Sequence, residues 1–145
     1  GKTVILITSN GTHTLNELWE RGARPVIVAN YPNLRTVARW LLEHELSAEV
    51  ITLVPSGGRE KFFEANSNLL EDFLCAQSIE KLLRGEALNL RADFIRAREF
   101  IDKYYPKNWS TKEADLSLIF VEIDTYKVVP VCEKLPNGLL KVTNT

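Results

Sequence analysis

The pattern that most restricts this chain is an alternation. Residues 4–8 (VILIT), 25–30 (PVIVAN) and 49–55 (EVITLVP) are short, nearly continuous apolar runs, and segments of helical period separate them. Residues 13–21 place Leu15, Leu18 and Trp19 on one face. Residues 34–45 are apolar at 34, 37, 38, 41 and 42, the i, i+3, i+4 spacing of an amphipathic helix. Asn33 stands where that helix needs a cap. Strand, helix, strand, helix, strand implies right-handed crossovers and parallel strands. Runs this continuously apolar agree, because strands of a parallel sheet are covered on both faces. The expectation is an α/β fold: three layers, α/β/α, around a mainly parallel sheet.

The later segments are read from the same rules. Residues 56–68, with Gly57, Gly58, Arg59 and Lys61, form a long irregular stretch, and such loops are usually functional or disordered. Residues 69–83 and 91–105 read as helices, the second ended by Pro106. Residues 111–121 fit helix or strand equally. Residues 128–132 and 139–142 flank Pro136-Asn137-Gly138 and read as a C-terminal hairpin. With 145 residues, 45% of them hydrophobic, a single domain over 1–145 can bury a sizeable core.

Composition excludes several roles. A formal charge of −1, evenly spread, gives no basis for nucleic-acid or membrane-surface attraction. No apolar run approaches the roughly 20 residues of a membrane span, and no signal-peptide pattern opens the sequence. Cys75 and Cys132 have neither metal nor disulfide spacing, which points to reduced thiols and a cytoplasmic protein. The sequence lacks Met even at position 1 and opens directly onto a strand, which reads as a processed or truncated product.

In open parallel sheets, ligands bind beyond the carboxyl ends of the strands. That edge would gather loops 9–12, 31–33 and 56–68, and with them Asn10, Gly11, Thr12, Asn33 and Arg59. A polar loop feeding a helix N-terminus offers free N–H groups and the positive end of the helix dipole to an anion. Gly11 permits close backbone approach or a positive φ, Thr12 offers a capping hydroxyl, and Arg59 offers a bidentate fork. The same loop also reads as a plain turn and cap. Gly1-Lys2-Thr3 is no P-loop, because it opens a strand where that motif opens a helix.

On the helix from residue 69, Asn68 and Glu71 have capping-box spacing. Asp72 heads a column of Ala76, Ile79 and Leu83, where a carboxylate needs a partner, a metal or a protonation shift. It reads both as a site residue and as a locally satisfied acid. Cys75 reads as a buried, inert thiol. His13 and His44 join no catalytic triad or metal pair.

These residues resemble a known family. GKTVILITSNGT is similar to the GKTV-strand-TNGT motif of the 2-phosphosulfolactate phosphatases of coenzyme M biosynthesis. LLEDFLCAQSIEKLL resembles that family's ED-LCAG helix, Asp124 with VVPV at 128–131 matches its D-x-x-x-VVPV segment, and Asn33 falls where the family has an Asn. The resemblance runs over essentially the whole sequence. It implies Mg²⁺-dependent hydrolysis of 2-phospho-3-sulfolactate to 3-sulfolactate and phosphate. Asn10, Gly11, Thr12, Asn33 and Arg59 would meet the anionic phosphate/sulfonate substrate, and Glu71 and Asp72 would be catalytic and metal-binding carboxylates.

Three departures stand out. His13 takes the position of the family's arginine after TNGT, Ser9 replaces its threonine, and Gln77 its glycine. Family members are also longer, with an acidic, arginine-bearing DVLRA-like motif upstream, so the chain looks like the C-terminal part of a two-part phosphatase. Two alternatives stay open on the same scaffold: a non-catalytic anion- or metabolite-binding module, and an oligomerisation fragment forming homo-oligomers.

Overall fold

The computed structural model describes residues 11–44, 51–55, 70–104 and 123–145. In chain order these form helix α1 (Gly11–Glu20), strand β1 (Val26–Ile27), a single 3₁₀ turn (Tyr31–Asn33) and helix α2 (Leu34–Glu43). Helices α3 (Leu70–Leu83) and α4 (Leu90–Tyr104) and strands β2 (Pro130–Lys134) and β3 (Leu140–Asn144) follow.

Local chemistry sets the helix limits. α1 and α3 end in the same motif. Gly22 and Gly85 take positive φ, 86° and 72°, where a side chain would be strained. In α1 the Gly22 and Ala23 amides donate back to Trp19 and Leu18. In α3 the Gly85 and Glu86 amides donate back to Leu82 and Lys81, closing orphan carbonyls of the last turn. α4 is capped by Asn89, whose side-chain oxygen accepts from the Ala92 amide at 3.1 Å. α2 ends at His44, whose Nδ1 lies 2.9 Å from the Trp40 carbonyl while its ring stacks on the Trp40 indole.

The sheet corrects the expected architecture. Among the described residues it has three strands in the order β1-β2-β3, every pair antiparallel, rather than a mainly parallel sheet between helical layers. Val26 faces Cys132 and Ile27 faces Val131, so the PVIVAN run pairs with a segment about a hundred residues later. Apolar continuity reports that a strand is buried; it carries no information on the direction of its neighbour. Only Val26 and Ile27 of that run form strand. Residues 51–55 have no strand assignment, although Leu53 packs against the core. The run at 4–8, the loop at 56–68 and the segment at 111–121 lie outside the described residues. The C-terminal hairpin is present, with β2 and β3 paired from Pro130–Asn144 to Lys134–Leu140 around Asn137-Gly138.

The core forms where the helices meet the 3₁₀ turn. Tyr31, Leu34, Leu74, Cys75, Ile79 and Ala97 make one buried cluster. α2 contributes the stripe Leu34, Val37, Ala38 and Leu41, packs on α3, and α3 packs on α4. Between the last two, the Ser78 hydroxyl donates to buried Asp93 at 3.5 Å. No described helix is long and apolar enough to cross a membrane.

Candidate functional site

The anion-loop candidates divide between described and undescribed residues. Asn10 and Arg59 lie outside the described residues. Gly11 and Thr12 are the first two residues of α1, so the helix starts earlier than its periodicity suggests. Gly11 is thus part of the helix rather than of a preceding loop. α1 has no acidic residue in its own first turn, so its dipole meets no carboxylate of its own there. Further along, Glu17 pairs with Arg21 at 2.6 Å and lies 3.7 Å from His13.

α1 is held at its far end. The Arg24 guanidinium lies 3.4 Å from the centre of the Trp19 ring, a cation–π contact, and donates to the Trp19 carbonyl at 3.0 Å. Lys134 of β2 pairs with Glu20. These charges hold the carboxyls of Glu17 and Glu20 below their ordinary value, through the hydrogen bonds from Arg21 and Lys134 respectively.

Glu71 and Asp72 belong to the first turn of α3. Asp72 is half-buried and heads a column that passes through half-buried Ala76 to buried Ile79. Burial, with the Asp72 charge adding to it, pushes the Cys75 thiol up to about 12. Such a thiol stays protonated and unreactive at neutral pH. Among the described residues no three His, Cys, Asp or Glu side chains converge as a metal cage. Mg²⁺ needs no such cage, since one or two carboxylates with phosphate and water suffice, and Asp72 is an oxygen donor of the right kind.

The two candidate groups have different neighbours: α1 packs on β1, α3 on α2 and α4. An open cavity of about 460 Å³, lined by Leu42, Ile51, Leu53, Glu80, Leu83 and Arg84, holds none of the candidates. It lies at the opposite end of α3 from Asp72.

Asn33 is placed differently from the sequence reading. It makes no side-chain cap on α2. Its oxygen accepts from the Asn30 amide at 2.8 Å, and its Nδ2 donates to the carbonyls of Val28 and Val128, each at 3.3 Å. The cap of α2 comes instead from Asp124, whose Oδ1 accepts from the Arg35 amide and Oδ2 from the Arg35 guanidinium, both at 2.6 Å. Asp124 was legible only as a motif residue, because its partner lies 89 positions away.

A family model described as 2-phosphosulpholactate phosphatase matches residues 1–134. The chain belongs to that family. A probable 2-phosphosulfolactate phosphatase of Thermotoga maritima is 31% identical over 150 residues, covering 96% of this chain and 59% of that protein. One from Thermotoga petrophila is 33% identical over 113 residues, covering 78% of this chain and 41% of its own length. A third, from Caldicellulosiruptor saccharolyticus, is 32% identical over 78 residues. The chain thus spans about half the length of the first two relatives. No solved structure matches it.

Proposed function

We propose that this chain supplies part of the active site of a Mg²⁺-dependent phosphatase that hydrolyses 2-phospho-3-sulfolactate to 3-sulfolactate and phosphate. The family match over residues 1–134 carries this reading. Asn10, Gly11, Thr12 and Arg59 would hold substrate oxygens, with the dipole of α1 favouring the anion. Asp72, with Glu71 beside it, would hold the metal. When bound, the ion would neutralise charge on the phosphoryl oxygens and orient the attacking water. Two buried free thiols fit a reducing, cytoplasmic setting.

The test is phosphate release by the longest native form, with and without Mg²⁺, from 2-phosphosulfolactate and from simple phosphomonoesters. Metal-dependent release is expected, and Asp72→Asn should lower kcat about 100-fold or more. Release from neither substrate overturns the reading. Phosphate binding that persists without Mg²⁺ and without turnover would mark a non-catalytic anion-binding module instead.

A further inference from the structure

We infer that Asn33 and Asp124 form a clasp that makes the 28–35 loop and the 124–130 segment one cooperative unit, and that Asn33 serves this clasp rather than the substrate. The argument starts from the donors of Asn33. A carboxamide has two N–H donors, and both are spent on the carbonyls of Val28 and Val128. Its oxygen takes the Asn30 amide. Flipping the amide would set its oxygen against two carbonyls and its NH₂ against an N–H, so the orientation is unambiguous. What remains is an acceptor lone pair, which repels an anion. At 6% exposure the side chain has little access to a ligand.

Asp124 completes the other half. It adopts φ 56°, the left-handed region that Asp tolerates better than most residues, and its carboxylate bonds both the amide and the guanidinium of Arg35. Around these two residues the segments zip together. The Asp124 amide donates to the Tyr31 carbonyl at 3.0 Å, the Tyr126 amide to Pro32 at 2.9 Å, and the Val28 amide to Pro130 at 2.9 Å. The D-x-x-x-VVPV motif therefore joins β1, the 3₁₀ turn, α2 and the hairpin. Val129 is buried, with its amide held by Asn144. This holds whether or not the chain hydrolyses phosphate esters.

Native-state amide exchange on the 145-residue chain tests it. Asn33→Ala leaves the bonded partners of the Val28, Arg35, Asp124 and Tyr126 amides in place. A cooperative clasp nonetheless predicts that these four lose protection by a common factor, roughly five- to thirtyfold, while α4 amides such as Asp93 do not. Asp124→Asn, which keeps an acceptor for the Arg35 amide but removes the charge pair, should produce a smaller loss at the same four positions. Loss confined to Asn30, or spread evenly through α3 and α4, overturns the inference. So does an Asn33→Ala chain that melts and exchanges like the parent.

Discussion

α1 and α2 are both ten residues long, and they are held in opposite ways. α2 buries Leu34, Val37, Ala38 and Leu41, and its N-terminus is filled by Asp124. α1 buries no residue, and no acid of its own occupies its first turn. Near its C-terminal end it is tied through Trp19 with Arg24 and Glu20 with Lys134. A helix N-terminus that receives a carboxylate from a distant segment is bound into the tertiary fold, as burial of an apolar stripe also binds it. α2 is thus tied to the fold by core burial and a distant carboxylate, α1 by charge and ring contacts.

The largest effect should fall on α2. Leu34→Ala empties a fully buried position and should cost about 2–5 kcal/mol in denaturant unfolding. Leu18→Ala on half-buried α1 should cost less than half as much. Equal costs would break the comparison.

A smaller, pH-dependent effect belongs to Cys75, between α2 and α4. The fold holds its thiol protonated up to about 12 against an ordinary 9.0. The unfolded chain therefore ionises first, so this stability is complete below pH 9.0 and is lost as pH rises toward about 12. Denaturation midpoints at pH 8 and pH 10 should differ less in Cys75→Ala than in the parent. An unchanged difference would remove burial of the thiol as the cause.

The smallest effect concerns the exposed acids of α1. Glu17 and Glu20 are held below their ordinary 4.5, so their contribution is present above that value and is lost as pH falls through the lowered ones. Carboxyl NMR titrations should place both below 4.5 at low salt and nearer to it at high salt. Salt-independent values would mean that Arg21 and Lys134 are not the cause.

Periodicity revealed α2, α3 and α4 to within a residue or two of their ends, because a stripe such as Leu34, Val37, Ala38 and Leu41 records burial along a single segment. The Asn137-Gly138 turn likewise marked the hairpin. The direction of the sheet was not legible, since the apolar residues of PVIVAN would look the same beside a parallel or an antiparallel neighbour. For the site, the residue types were visible but their commitments were not. Asn33 looked like a cap or a ligand until its two donors were found on Val28 and Val128.

By itself the sequence determined the family, the helices, the hairpin turn and the identity of the candidate carboxylates, all written in contiguous residues. Tertiary structure alone decided that β1 pairs with β2, that Asp124 caps α2, and that Asn33 is spent on the fold. Each of those depends on groups about ninety or more positions apart, and neither local propensity nor spacing encodes which distant partner a strand edge, a free amide or a carboxylate will meet.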